Sequence, residues 1–316
     1  MTMIADPKLQ ARAARSLCGR RAVLGALAAA PALWLAALTP AAAAADKDKF
    51  ALRVIQSGHS LTDPIVPALN GLLAAAGVPP SRPQPIAGST IPGSPMEWRW
   101  EHRMEPGPDA RTDIADFDVM VITERVSLAN TQPWHHSDEM ALTWFENTWT
   151  HGKGGAGAET ILYASWVEVD SGPQNENPHN DPEAHISFRD RLPLEMARWQ
   201  TMADHVNDNR PEGSPAMRVI PGPLIMAAAY DAITAGQAPG VTAIEDLFSD
   251  NIHVNHDGAY LIALAHFAVL YDTDPRTLTG GIGRLGPHDP ATAKWMQQLV
   301  HDVLLAYPDA GYTGGA

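Results

Sequence analysis

The stretch Phe50-Ala51-Leu52-Arg53-Val54-Ile55-Gln56-Ser57-Gly58-His59-Ser60-Leu61-Thr62-Asp63-Pro64 decides how this chain is read. Residues 50–56 form an apolar, β-prone run and predict a strand. Thr62, Asp63 and Pro64 then supply a capping residue and a first-turn proline. Ile65, Leu69, Leu72, Leu73 and Ala76 follow at helical spacing and stop at Gly77. A strand that turns directly into a helix is the opening of a βα unit, and that unit belongs to a parallel sheet.

The same alternation runs outward to the C-terminus. Weaker strand character lies at 83–87, and stronger runs lie at 118–123 (DVMVIT), 160–167 (TILYASWV) and 217–220. The third run is apolar throughout, as a strand covered on both faces should be. Helical periodicity spans 137–149, closed by the glycine-rich 151–157, and recurs at 189–207, 224–235, 256–270 and 292–305. Residues 171–187 read as a long polar loop, a lid or a disordered excursion. With no repeat and no internal shift of composition, residues 46–316 read as one α/β domain with a central five-stranded parallel sheet.

The N-terminus has a different character. Residues 1–21 carry Lys8, Arg12, Arg15, Arg20 and Arg21 against Asp6 alone. An apolar run from Ala22 to Leu38 and the small-residue tract 41–45 follow. That order describes an export signal over residues 1–45, and Arg20-Arg21 is similar to a twin-arginine address. An uncleaved anchor is the competing reading, opposed by Pro31, Pro40 and the low burial energy of alanine. The expectation is therefore a periplasmic or secreted protein with no stable membrane insertion after cleavage. The lone cysteine, Cys18, would leave with the signal, excluding disulfides and thiolate chemistry.

The full chain of 316 residues carries 22 Lys+Arg against 36 Asp+Glu, a formal charge of −14. Such a surface repels phosphate, so nucleic acid is excluded as a partner. The histidines at 135, 136, 179 and 185 lack the compact spacing of a zinc site, and no metal or cofactor is expected.

Two short blocks carry chemistry. Ser60 sits where the first strand meets its helix, at the carboxyl edge of the sheet where α/β proteins bind ligands. Taken alone, it is as readily a helix cap. Asp250-Asn251-Ile252-His253-Val254-Asn255 precedes an apolar helix with Asn255 as its N-cap. An aspartate three residues before a histidine can accept the Nδ1 proton and leave Nε2 to serve a serine. His253, His256 and Asp257 also suit a metal site, and spacing does not separate the two.

Together these blocks resemble the SGNH (GDSL-like) hydrolase family. The resemblance rests on Ser60 after the first strand, Gly88 near the second, the Asp250-x-x-His253 pair, and the following Asn255, Gly258, Tyr260 and Leu261. It implies a three-layer α/β/α, flavodoxin-like fold, a Ser60–His253–Asp250 triad, and an oxyanion hole using Ser60 and Gly88. Two departures stand out. His59 replaces the aspartate of the family's GDS, and Val121-Ile122-Thr123-Glu124-Arg125 replaces its G-x-N-D, removing an oxyanion asparagine. Its role is then expected to fall to Arg125, to the amides of Ser60 and Gly88 alone, or to Asn130. Trp98 and Trp166, with Glu124, are candidate substrate contacts, and Trp100, Trp134, Trp144 and Trp149 fall in the same region.

The function expected is an exported esterase for short acyl groups, acetyl above all, on a carbohydrate. An acyltransferase with the same triad, a non-catalytic carbohydrate-binding protein and a metallohydrolase are the alternatives. Oligomeric state is not readable.

Overall fold

Along the first strand, alternate side chains meet different neighbours, and that alternation sets the layers. The computed structural model describes residues 49–79, 81, 84–279 and 286–315, and the export signal expected over residues 1–45 lies outside them. Strands β1 (Val54–Gly58), β2 (Ile86–Thr90), β3 (Val119–Ile122), β4 (Glu159–Ala164) and β5 (Arg218–Pro221) form one sheet. All its pairings are parallel and its order is β2-β1-β3-β4-β5, the flavodoxin-like doubly wound arrangement.

Val54, Val121, Tyr163 and Ile220 point into one hydrophobic core. That core is shared with helices α1 (Ile65–Ala75), α6 (Gly222–Thr234), α7 (His256–Tyr271) and α8 (Pro290–Leu305). Ile55, Met120, Leu162 and Val219 point into the other. There they meet α2 (Met96–Glu101), α3 (Leu128–His135), α4 (Ser137–Gly155) and α5 (Phe188–Asn209). Period-two strands with helices on both sides give the three layers. Helix α7 is buried along almost its whole length, which explains its unbroken apolar sequence.

The fold is the one expected, and the differences lie at boundaries. β1 occupies Val54–Gly58 rather than 50–56, because its ladder runs from Val54↔Ile86 to Gly58↔Thr90 and includes the buried Gln56 and Ser57. The weak second strand moves from 83–87 to Ile86–Thr90, and Pro83 lies outside the described residues. α2 and α3 were not expected. α2 is a single short element of aromatic and charged residues, while α3 carries Pro133 and buries only Leu128 and Thr131. α1 begins at Ile65 without a side-chain cap, so neither Thr62 nor Asp63 caps it. Thr62 is buried instead, and Asp63 accepts a hydrogen bond from Thr90 Oγ1 at 2.5 Å.

The 171–187 segment is a chain of hydrogen-bonded turns. Gly172 N–H donates to Ala184 O at 2.8 Å, and Asn177 brackets Asp181 through both ends of its side chain. Among the described residues, no helix is long and apolar enough to cross a membrane.

Candidate active site

At the carboxyl end of β1 the backbone must turn sharply to enter α1. Gly58 permits this, since a Cβ there would sit 2.0 Å from Thr62 Oγ1. His59 fixes the turn from inside. Its Nε2 donates to Glu124 O at 3.0 Å, and its Nδ1 faces the Leu61 N–H at 3.4 Å, an arrangement that suits the neutral ring. Burial, with Arg99 nearby, pushes its pKa down to about 3. Ser60 follows, half-buried, with its hydroxyl facing the loop that precedes α7.

That loop is held from several sides. Asn255 caps α7 by accepting from Asp257 N and Gly258 N at 3.0 and 3.2 Å. His253 O accepts from Ser249 N at 2.8 Å, Asn251 O accepts from Val169 N at 2.7 Å, and Ile252 O accepts from Trp166 Nε1 at 2.8 Å. Within this frame His253 Nε2 lies 2.8 Å from Ser60 Oγ, and His253 Nδ1 lies 2.7 Å from Asp250 Oδ2. The other carboxylate oxygen of Asp250 accepts the backbone N–H groups of Ile252 and His253 at 2.9 and 2.7 Å. Partial burial pulls the Asp250 pKa upward, but these donors outweigh it and hold it below the usual carboxylate value. An ionised Asp250 accepts the Nδ1 proton, which leaves the Nε2 lone pair directed at the serine hydroxyl.

A cleft of about 620 Å³ opens over this group. His59, Ser60, His253, Gly93, Arg125 and Asn130 are among the residues that line it. Gly93 takes a left-handed backbone (φ +68°) in the loop after β2, a conformation suited to glycine. Gly93 and Arg125 also line a second cleft of about 400 Å³, which Trp98 lines as well.

Comparison with protein-family models finds no match, and neither does comparison with curated proteins. Solved structures do resemble the chain. A DUF4886 family protein from Bacteroides uniformis ATCC 8492 superposes with a TM-score of 0.56 at 16% identity, covering 82% of this chain and 96% of that one. An acetyl xylan esterase, AlAXEase, gives a TM-score of 0.44 at 14% identity over 68% of this chain and 98% of its own. At these identities the likeness is one of fold.

The other residues singled out from sequence are placed differently from one another. Gly88 lies inside β2 opposite Gln56 and does not line the cleft; the glycine that does is Gly93, in the loop beyond the strand end. Arg125 lines both clefts, with Nε 3.4 Å from Thr131 Oγ1 and Nη2 3.3 Å from His135 Nε2. Asn130 lines the first cleft while donating to His179 O at 3.1 Å.

Glu124 is fully buried and does not face Ser60. Its Oε1 accepts Met96 N at 2.9 Å and Arg125 N at 2.7 Å, and burial raises its pKa despite the nearby Arg99. Trp166 is also fully buried, so it braces the histidine loop rather than touching a substrate. Trp98 is 48% exposed and lines the second cleft, whereas Trp144 is core. His253, His256 and Asp257 do not converge. His253 is committed to Ser60 and Asp250, and His256 pairs with Asp257 at 3.7 Å. Among the described residues, no three His, Cys, Asp or Glu side chains gather as metal ligands.

Several shaping residues were missed. Arg99 is buried under the site, donating to Ser57 Oγ at 3.2 Å, to Ser94 O at 2.6 Å and to Thr123 O. It thereby ties the end of β1 to the two loops that carry Gly93 and Arg125. Asp181 accepts from Ser127 Oγ at 2.6 Å and pairs with the fully buried Arg191, locking the 171–187 turns against the cleft. The only sequence signal for Arg99 is a cation set between two tryptophans in a short helix.

Proposed function

We propose that the chain is an exported serine esterase that removes short acyl groups, acetyl above all, from a carbohydrate. The hydrogen-bonded relay Ser60–His253–Asp250 carries this reading. A serine joined to an imidazole that is itself oriented by a carboxylate is the arrangement needed to activate a weak nucleophile. Ser60 Oγ attacks the ester carbonyl as His253 Nε2 takes its proton. The same nitrogen then protonates the departing alcohol, leaving an acyl group on Ser60. Water, deprotonated by His253, releases the acid.

The tetrahedral oxyanion needs donors near Ser60. The backbone N–H groups of Ser60 and Gly93 take this role in the proposal, with the side chain of Asn130 or Arg125 in place of the missing asparagine. Export rests on the order of basic, apolar and small-residue tracts in residues 1–45.

A fluorophosphonate is expected to add once to the folded protein. Intact mass should show the adduct on wild type and on chelator-treated protein, but not on Ser60→Ala. Absence of the adduct after long exposure to excess reagent would refute a serine mechanism.

A further inference from the structure

The second cleft shares Gly93 and Arg125 with the catalytic cleft, and Ser60 lines only the latter. The two spaces, about 620 and 400 Å³, therefore adjoin at these two residues. A small acyl group needs only the immediate surroundings of Ser60, so most of this space is left for the alcohol half of an ester.

Trp98 lines the second cleft, and its ring is braced. One face of its indole stacks on His102 at 3.6 Å and 11°. His102 is fixed in turn, its Nδ1 lying 2.8 Å from the Trp98 carbonyl. An indole left 48% exposed yet stacked on one side offers a flat apolar surface that loses little freedom on binding. Beside it stand Glu97 and Glu101, with His135 bonded to Glu97 Oε2 at 3.0 Å. Carboxylates accept hydrogen bonds from hydroxyl groups and repel other carboxylates. An apolar plate rimmed by hydroxyl acceptors suits a sugar ring, and Glu97 and Glu101 outnumber Arg125, which lines the same cleft, and argue against a uronate.

We infer that the cleft at Trp98 is a distal sugar subsite, and that the substrate is an uncharged glycan of at least two residues running from Ser60 past Gly93 and Arg125 to Trp98. This rests on the esterase reading above and narrows its substrate. Acylated monosaccharides fill the catalytic cleft alone, while longer neutral chains gain the contact at Trp98.

The test uses acetylated xylose and xylotriose, acetylated glucose and cellotriose, and acetylated galacturonate and trigalacturonate. In wild type, kcat/KM is expected to rise about tenfold from monomer to trimer in at least one neutral series, chiefly through KM, with no rise in the acidic series. Trp98→Ala should abolish that rise, and Trp98→Phe should restore part of it. No chain-length gain in either neutral series, a gain that survives Trp98→Ala, or an equal gain for galacturonate would each overturn the inference. If no ester is turned over at all, the esterase reading fails instead. Calorimetric titration of Ser60→Ala with xylotriose and cellotriose then still decides the subsite, since binding lost in a Ser60→Ala/Trp98→Ala double variant supports it and no binding refutes it.

Discussion

At the residue scale, Asp250 has two tasks and its carboxylate divides them. Oδ1 gathers the loop by accepting the N–H groups of Ile252 and His253, and Oδ2 holds the imidazole. Because those donors depress its pKa, the Asp250 carboxylate stays ionised through mildly acidic pH. Asp250→Asn keeps the size but can offer an N–H to Nδ1, turning the ring's lone pair away from Ser60. We expect kcat to fall by about 10²–10⁴ with KM nearly unchanged. A loss below about threefold would remove Asp250 from the mechanism. Trp166 acts one step further out. Trp166→Phe deletes the donor to Ile252 O and leaves that carbonyl without it, so urea unfolding should register a loss of about 1–3 kcal/mol. An unchanged midpoint would show that the loop does not depend on this bond.

At the element scale, α5 links the 171–187 turns to the start of α3. Arg191 reaches Asp181 and Ser171, while Glu195 accepts the Leu128 N–H at 2.7 Å at the start of α3. Burial raises the Glu195 pKa from 4.5 to about 7, against the lowering effects of Leu128 N–H and the two arginines. A carboxyl whose folded pKa lies above its unfolded one binds more protons when folded. Its contribution is neutral below about pH 4.5, turns against the fold as pH rises to about 7, and is constant above that. The full effect is at most roughly 3 kcal/mol. Unfolding free energies measured at about pH 5 and pH 8 should therefore differ less in Glu195→Gln than in wild type. The readout is that difference, because the glutamine amide also meets Arg198, 4.0 Å from Oε2. An equal difference in both proteins would mean Glu195 is ionised throughout.

At the scale of the whole molecule, the sheet and the histidine block were legible because their information is local. Strand runs, the Asn255 cap and the Asp250–His253 spacing all lie within a few residues of one another. What depends on distant partners was not. The end of β1 is set by pairing with Ile86–Thr90, so a window over 50–56 misplaces it. Gly93 and Gly88 are both near β2, and only the strand end decides which reaches the cleft. Trp166 and Trp98 are both candidate substrate contacts from sequence, yet one is core and the other exposed, because burial is a property of the assembled layers.

Charge belongs to this scale too, and it bears on rate. The chain carries −14 formally, and five of its 22 basic residues lie in the first 21 positions, so the rest of the chain is more acidic than the whole. Its field repels anionic esters at distances where Arg125 alone cannot compensate. Salt shortens the reach of that field to about 10 Å at 0.1 M. For acetylated galacturonate, kcat/KM should rise severalfold between about 20 and 200 mM salt, while acetylated xylose should change by less than about twofold. If the galacturonate rate fell with salt instead, local attraction at Arg125 would dominate, and the substrate would carry the charge that the glutamates beside Trp98 otherwise reject.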